Sequence, residues 1–214
     1  MRNIIKKIIL KLILIIGKFC SFVYSYKTSQ YLRIFKVYIY SAYISKEFNH
    51  VGKGTIISYL SSLSGGKNIS IGNYSSIGKM SVINAWTKYE NDTFNPKIII
   101  GNNVKIGSES HISAINYIKI GDNVLTGKKV TITDNSHGKS TLLYLNIPPA
   151  NRSLFSDGAV IIEDGVWIGD KVTILPNVRI GENSIIGANA VVTKDIPANC
   201  VAAGVPAKVI KIIK

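Results

Sequence analysis

The sequence predicts an all-β solenoid, a parallel β-helix, preceded by a helical segment. From residue 162 to residue 197, six consecutive hexapeptides each begin with Ile or Val. A six-residue apolar period fits neither an α-helix, whose apolar positions recur every 3.6 residues, nor a free strand, in which they alternate. It fits a parallel β-helix, in which each hexapeptide is one short strand plus a corner and three hexapeptides make a coil. The residue after the leading one occupies a tight corner with little space for a side chain, which explains Gly101, Gly107, Gly121, Gly169, Gly181 and Gly187.

Composition and charge indicate a folded domain with a basic beginning. Hydrophobic residues make up 46% of the 214 residues and charged residues 18%, which excludes a disordered chain. Residues 1–54 hold ten Lys or Arg against one acid, Glu47, so this segment carries +9 of the net charge of +14. No zinc module, helix-turn-helix or stacked-aromatic pattern supports nucleic acid as the partner. Cys20 and Cys200 have no metal-type spacing, and a reducing cytosol is the expected compartment.

The first element, residues 1–50, is predicted to be a basic, amphipathic helical segment. On a helical wheel Lys7, Lys11 and Lys18 fall on one narrow stripe, and the opposite face is aliphatic or aromatic. Such a helix suits a membrane interface, with the lysines reaching the lipid phosphates. We therefore expect a cytoplasmic protein that contacts the inner face of the cell membrane peripherally through residues 1–26. Packing on its own oligomer is an alternative, as is a signal or transmembrane segment, although lysines interrupt the apolar run.

The second element, residues 51–214, is the predicted solenoid. The period begins weakly near Val51, becomes legible at Ile71, is interrupted by an irregular stretch from Asn84 to Lys97 and resumes at Ile100. A loop at 138–161 interrupts it, and we call this segment the long loop. Its leucines and aromatic residues are too apolar for a solvated linker, and its place directly after a histidine favours a role in an active site. The spacing predicts four complete eighteen-residue coils, at 100–117, 120–137, 162–179 and 180–197.

Four motifs carry a family resemblance that extends over residues 50–214. They are ITDNSHG at 132–138, VIIEDGVWIG at 160–169, the hexapeptide run at 172–197 and VAAGVPAKVI at 201–210. With these motifs the chain resembles the left-handed β-helix (hexapeptide-repeat) acyltransferases. It looks most like the O-acetyltransferases of bacterial surface polysaccharide and lipopolysaccharide, of the colanic-acid type, which are related to galactoside acetyltransferase.

The resemblance implies a homotrimer with active sites at the subunit interfaces, acetyl-CoA as the acyl donor, and no metal. His137 matches the general base that removes a proton from the acceptor hydroxyl as that oxygen attacks the thioester. An imidazole with a near-neutral pKa is suited to this task. Asp134 is a candidate to orient His137, as is a backbone carbonyl. His111 ends the second hexapeptide of its coil and His137 the third, which places them on different edges of one prism.

The resemblance also implies a set of ligand-binding residues. Trp167 is expected to wall the pantetheine channel, with Asp170 beside the donor, and Ala188 to offer it a small face. The other matches to donor-binding positions are Thr193, Lys194, Lys208 and Lys211. The acceptor residues do not transfer from the family, and the candidates are Asn84, Trp86, Asn116, Tyr117 and the long loop.

The function expected from the resemblance is transfer of acetyl from acetyl-CoA to a sugar hydroxyl of a surface polysaccharide, a lipopolysaccharide or a lipid-linked precursor. N-acetylation of an amino-sugar nucleotide and O-acetylation of a small antibiotic remain alternatives, because both need the same base. A catalytically silent scaffold is the non-enzymatic alternative. A zinc enzyme of the carbonic anhydrase type is disfavoured, because that family's closely spaced pair of histidines is absent.

Overall fold

The computed structural model describes residues 2–213 and divides the chain into two compact units, Met1–Ile39 and Tyr40–Lys214. Met1 and Lys214, the ends of the two predicted segments, lie outside the described residues. The first unit contains helix α1, Arg2–Val23, and most of helix α2, Tyr26–Ile44, so the N-terminal segment is helical as expected. The two units divide within α2, whereas the sequence suggested a division at residue 50.

The apolar side chains of α1 lie open to solvent within this unit. Ile8 and Leu14 are 53% and 66% exposed, and Phe19 is 73% exposed. Among the described residues, no single helix has the length and apolar composition of a membrane span. The segments Ile5–Phe22 and Tyr26–Glu47 meet those criteria only together, as a bent pair.

The second unit contains three parallel sheets that the chain visits in rotation. The first sheet contains the strands His50–Val51, Ile69–Ile71, Lys97–Ile100, Tyr117–Ile120, Val160–Ile162 and Val178–Ile180. The second contains Ile56–Ile57, Ser76–Ile77, Lys105–Ile106, Leu125–Thr126, Trp167–Ile168, Ile185–Ile186 and Cys200–Ala203, with Lys208–Ile212 added antiparallel at its edge. The third contains Ser62–Ser64, Val82–Ala85, His111–Ala114, Thr131–Thr133, Thr173–Ile174 and Val191–Val192.

Residues 2–213 form six coils with a strand in every sheet, so the prediction of four complete coils was too low. The two additional coils occupy residues 50–64 and 69–85. Their sequence signal is weak because Ser, Tyr and Asn fill the outward positions, although Ile57, Ile77 and Ile83 still point inward and are fully buried. Burial of the inward column, and not regularity of the outer surface, is what the coil requires.

The corners of the coil differ sharply between the three edges. Every connection from the first to the second sheet, and from the second to the third, has four residues, as at 121–124 and 127–130. Connections from the third sheet back to the first vary from two residues at 115–116 to the segments 86–96 and 134–159. We call this third-to-first edge the variable edge.

The regular corners explain the glycines that follow the leading residues. A Cβ added at Gly107 would overlap the carbonyl oxygen of Gly127 one coil away, so only glycine fits there. In the corner 121–124 the third residue, Asn123, has φ of 59°, a left-handed conformation that asparagine tolerates. The one polar leading residue, Thr126, is buried and satisfied, because its hydroxyl accepts the N–H of Gly107 at 2.9 Å and donates to the carbonyl of Gly127 at 3.1 Å.

Within the second unit, the C-terminal end of helix α2 is joined to the coil by polar contacts. The hydroxyl of Ser41 accepts the N–H of Ile57 at 2.9 Å, and the hydroxyl of Tyr40 accepts the N–H of Leu60 at 3.2 Å. The rings of Tyr40 and Tyr59 lie 4.5 Å apart. The last turn of α2 therefore covers the first coil, whose inner face would otherwise meet water.

Candidate active site

A cleft of about 300 Å³ lies on the outer surface of the third sheet. Its floor is formed by side chains of three adjacent strands. Its walls are hairpins from the two long interruptions of the variable edge, Lys88–Tyr89 paired with Asp92–Thr93 and Ser136–His137 paired with Leu154–Phe155. The residues that line it are Asn84, Trp86, Tyr89, His111, Ser113, Thr131, Thr133, Asn135, His137 and Leu154.

His137 stands in the wall that comes from the long loop. It pairs with Leu154 in the antiparallel hairpin, and its imidazole is exposed to the cleft. Gly138 turns the chain with φ of 78° and donates its N–H to the carbonyl of Ser153 at 2.9 Å. The hairpin therefore fixes the backbone of the histidine while its ring faces the cleft.

Tyr89, from the opposite wall, reaches the imidazole of His137. Its hydroxyl lies 3.4 Å from Nδ1 of His137, and the two rings meet edge to face with centroids 5.5 Å apart. The same hydroxyl lies 2.9 Å from the carbonyl oxygen of Ala150 in the long loop, to which it donates. Sequence reasoning missed Tyr89 because it lies 48 positions from His137 in a segment without periodicity.

Asp134 does not orient His137, contrary to the expectation. Its carboxylate is completely buried and accepts the N–H groups of Ile115 and Asn116, each at 2.9 Å. It also accepts the side-chain amide of Asn135 at 3.1 Å. Asp134 thus holds the two-residue corner of the preceding coil, and its negative charge is compensated by backbone donors.

His111 lies in the same cleft as His137. The sequence placed the two histidines on different edges, which is correct, but the two edges border the same sheet. His111 begins the floor strand His111–Ala114 and lies beside Thr131, and His137 stands in the wall that follows the neighbouring strand Thr131–Thr133. Partial burial lowers the pKa of His111 below the usual 6.5, which favours a neutral imidazole there.

The remaining floor is polar and uncharged. Trp86 donates its indole N–H to Oγ of Ser113 at 3.2 Å, which fixes the plane of the indole. Asn135 donates to the carbonyl of Ser113 at 3.0 Å, and Oδ1 of Asn84 accepts the hydroxyl of Ser62 at 3.1 Å. No Asp, Glu, Lys or Arg is among the described residues that line the cleft.

Of the acceptor candidates, Asn84 and Trp86 line the cleft, but Asn116 and Tyr117 do not. Asn116 sits in the corner held by Asp134, and Tyr117 begins the first-sheet strand next to Lys97. The two-residue corner turns the chain around the variable edge directly after the floor strand. Counting back one coil from His137 could not reveal this, because the corner is shorter than a hexapeptide connection.

The residues matched to the donor site fall on different surfaces of one chain. Trp167 is 52% exposed on the second sheet, in register with Leu125 and Ile185, so these three side chains form an apolar row. Lys208 and Lys211 are exposed on the antiparallel strand at the edge of that sheet. Trp167 and His137 therefore belong to different sheets.

Asp170 and Ala188 are stacked at the corner between the second and third sheets. Oδ1 of Asp170 accepts the N–H of Lys128 at 2.7 Å, so this carboxylate supports the corner of the preceding coil. Asp164 does the same for the N–H of Asp122 at 2.8 Å on another edge. Ala188 is exposed and its backbone lies against Gly169, where a Cβ would overlap it.

Thr193 and Lys194 follow the last strand of the third sheet and are exposed at the variable edge. They share that edge with His137 but lie two coils further along the solenoid. Within residues 2–213, no group of three or more His, Cys, Asp or Glu side chains is arranged to hold a metal ion.

Comparison with known proteins agrees with this architecture. The family model "Bacterial transferase hexapeptide (six repeats)" matches residues 159–194. An Escherichia coli K12 protein named as a lipopolysaccharide biosynthesis O-acetyl transferase, WbbJ, is 44% identical over 53% of this chain and 60% of its own length. The galactoside O-acetyltransferase of the same organism is 43% identical over 44% of this chain and 43% of its own length. The chain thus covers less than two thirds of these relatives.

A solved structure extends the likeness to most of the chain. AntD, an N-acyltransferase from Bacillus cereus in complex with dTDP and 3-hydroxybutyryl-CoA, matches with a TM-score of 0.66 and 26% identity, over 79% of this chain and 85% of its own. The residues that the family model matches overlap two of the sequence motifs and form the last two coils of the solenoid. The resemblance of this chain to the hexapeptide-repeat acyltransferases is confirmed.

Proposed function

We propose that this protein is an acetyl-CoA-dependent O-acetyltransferase that acts on a sugar hydroxyl. Its coils would wind as a left-handed β-helix and assemble into a homotrimer. The observation that carries the proposal is the cleft itself, in which an exposed imidazole, His137, faces a polar, uncharged floor beside an aromatic side chain. The motif matches and the acyltransferase relatives supply the reaction class.

In this proposal His137 is the general base. Its ring nitrogen takes the proton of the acceptor hydroxyl as that oxygen attacks the acetyl carbon, and the C–S bond of the thioester then breaks. The imidazolium returns its proton to the departing thiolate, so transfer is direct and His137 is regenerated. Neither step needs a covalent intermediate on the protein.

The second sheet fits the donor. The apolar row around Trp167 suits the pantetheine arm, the small side chain of Ala188 leaves room beside it, and the ammonium groups of Lys208 and Lys211 suit its phosphates. These residues and His137 lie on different sheets, so a donor site built in this way meets the base only when the second sheet of one subunit faces the third sheet of another. The need for two facing subunits supports a trimer with its active sites at the subunit interfaces.

The floor of the cleft favours a neutral, hydroxyl-rich acceptor. Side-chain amides and hydroxyls from Asn84, Ser113 and Thr133 can exchange hydrogen bonds with sugar hydroxyls, and the indole of Trp86 offers an apolar face to a pyranose ring. A protonated amino group would be favoured by a carboxylate, and none is among the described residues that line the cleft. Acetylation of a surface polysaccharide, a lipopolysaccharide or a lipid-linked precursor follows as the favoured reaction, in keeping with the name of the WbbJ relative.

One observation favours a second candidate, N-acylation of an amino-sugar nucleotide. AntD, which matches over 79% of this chain, is an N-acyltransferase whose complexes contain dTDP or dTDP-4-amino-4,6-dideoxyglucose. Its structural match is broader than the sequence match to the O-acetyltransferases. The acceptor test below therefore includes both classes.

For location, we propose the cytoplasm, at the inner face of the membrane. The exposed aliphatic side chains of α1 and its lysines Lys7, Lys11 and Lys18 support peripheral contact with anionic lipid. The test is flotation of the full-length protein with vesicles of neutral and of anionic phospholipid. Floating with anionic vesicles in low salt supports the proposal, whereas recovery of all protein in the soluble fraction with both lipids contradicts it.

The function is tested by incubating the purified protein with [14C]acetyl-CoA and a panel of acceptors. The panel contains neutral sugars, neutral and amino-sugar nucleotides, and lipid-linked saccharides. We expect labelled ester on a neutral sugar unit, and His137→Ala should reduce transfer by about two to four orders of magnitude. His50→Ala, a histidine outside the cleft, is the matched control and should transfer normally. Labelled amide on amino-sugar nucleotides alone would establish the second candidate instead.

A further inference from the structure

Tyr89 connects the two interruptions of the solenoid at the imidazole of His137. It lies in the hairpin Lys88–Tyr89 with Asp92–Thr93, outside every motif that carried the family resemblance. Its hydroxyl oxygen has two neighbours, the carbonyl oxygen of Ala150 at 2.9 Å and Nδ1 of His137 at 3.4 Å. The contact to Ala150 spans 61 positions of sequence and ties the long loop to the first hairpin.

The protons available on these three groups determine which group donates and which accepts in each hydrogen bond. A phenolic hydroxyl has one proton to donate, and a carbonyl oxygen can only accept. The short contact to Ala150 therefore uses the proton of Tyr89. Toward His137 the same oxygen has only lone pairs to offer, so Nδ1 must be the donor. A histidine ring that donates from Nδ1 leaves Nε2 as the unprotonated nitrogen when it is neutral.

We propose that Tyr89 is a positioning residue that holds neutral His137 in the tautomer protonated at Nδ1, so that Nε2 is the atom that takes the acceptor's proton. This inference rests on the proposed function for the meaning of that proton transfer, but the tautomer itself is a property of the resting protein. The assignment replaces Asp134, whose carboxylate is committed to Ile115, Asn116 and Asn135. It also makes the tautomer of His137 depend on both segments that interrupt the coil, 86–96 and 134–159.

The direct test is 15N NMR of the full-length protein labelled at histidine nitrogen. Spectra are recorded at increasing pH until the signals of His137 no longer change, so that its ring is observed in the neutral form, and these signals are assigned with His137→Gln. We expect the wild-type protein to show a protonated Nδ1 and a bare Nε2. In Tyr89→Phe the two shifts should move toward each other or exchange, because the phenyl ring has no acceptor for Nδ1–H.

The matched control is Tyr144→Phe, which removes a hydroxyl from the long loop. The ring of Tyr144 lies beside Gly138, and its hydroxyl has no hydrogen-bond partner among the residues the structure describes. This variant should leave the shifts of His137 unchanged. A wild-type protein with the proton on Nε2 overturns the proposal by itself, whether or not Tyr89→Phe folds. Unchanged shifts in a folded Tyr89→Phe variant overturn it equally.

Steady-state kinetics of Tyr89→Phe then test whether the tautomer of His137 matters for turnover. Loss of one neutral hydrogen bond predicts that Tyr89→Phe lowers kcat about three- to tenfold, with the KM for acetyl-CoA unchanged, since Tyr89 faces the acceptor cleft. An unchanged kcat together with a switched tautomer would show that His137 is not the base. In that case the proposed mechanism fails and the tautomer assignment stands, so the two ideas are separable.

Discussion

Replacement of Asp134 by alanine separates a structural from a catalytic role for this carboxylate. Asp134 is 0% exposed and accepts three hydrogen bonds, of which two come from the backbone of the preceding corner. Without the carboxylate, the N–H of Ile115, itself only 6% exposed, loses its partner in a buried place. An unsatisfied buried donor costs about 1–3 kcal/mol. Asn116 is exposed, so water can replace its lost bond and only about 0.5–1.5 kcal/mol is added.

The expected destabilisation is therefore about 1.5–4.5 kcal/mol. For a chain of this length each kcal/mol lowers Tm by about 2–4 °C, so a decrease of roughly 3–18 °C is expected, measured by circular dichroism at one fixed protein concentration. At 15 °C, where the variant remains folded, kcat should stay within about twofold of the wild type, since the carboxylate has no contact with His137. Asp164→Ala is the matched control, because this exposed carboxylate holds a single corner N–H at 2.8 Å. It should lose only about 0.5–1.5 kcal/mol.

One pair of results would assign Asp134 a catalytic role instead. If Asp134→Ala kept the wild-type Tm and lost more than about a hundredfold in kcat, the carboxylate would act on His137 after all. Loss of a triad carboxylate of the Ser-His-Asp type lowers kcat by about four orders of magnitude with the geometry intact. Tm and kcat together therefore distinguish a structural from a catalytic role of Asp134.

Three further substitutions test the floor, the donor surface and the second histidine. Trp86→Ala should raise the KM for the acceptor about tenfold or more and leave that for acetyl-CoA unchanged, because a stacked aromatic face contributes about 0.5–1.5 kcal/mol beyond its buried area; the reverse pattern would place Trp86 at the donor. Lys208→Ala should raise the KM for acetyl-CoA, whereas Lys119→Ala, on the first sheet, should not, and equal effects would remove Lys208 from the phosphates. Because burial lowers the pKa of His111 below 6.5, the unfolded chain takes up this proton first as pH falls, and stability decreases below about pH 6.5. His111→Gln should flatten that part of the dependence of Tm on pH, and an unchanged slope would contradict the partial desolvation of this imidazole in the cleft.

The regular part of the fold was predictable because one physical requirement sets it. An inward residue every six positions buries the coil, and at corners such as Gly169 the next coil leaves no space for a side chain, so the places of Ile168 and Gly169 can be read from the sequence. The inward period holds also in the weak coils at 50–64 and 69–85, as Ile57 and Ile77 show, although Ser58 and other residues around it depart from the pattern. The sequence indicated those coils only as partial turns, because outward positions face water and are free to vary.

The site was less predictable because it is built from segments without a period. His137 was found through its motif, whereas Tyr89, Ser113 and Thr133 carry no motif and become neighbours only through stacking of coils. One signal was available. Counting hexapeptides from Ile83 and from Ile132 shows that both long interruptions follow a third-sheet strand, so both must leave from the same edge and can meet.

The distribution of irregularity over the three edges has a consequence for specificity. Two edges keep four-residue corners in every coil, and the apolar row at Trp167 lies between them on a flat sheet. Under the proposed function, a surface of that kind suits the coenzyme A part of the donor. Segments of the variable edge stand outside the core, as the 83% and 85% exposure of Leu142 and Leu143 shows. Changes of their length or sequence alter the walls of the cleft without disturbing the inward column of aliphatic residues. Acceptor choice can therefore diverge on a constant coil, provided that the contact between the two walls, Tyr89 to His137, is kept.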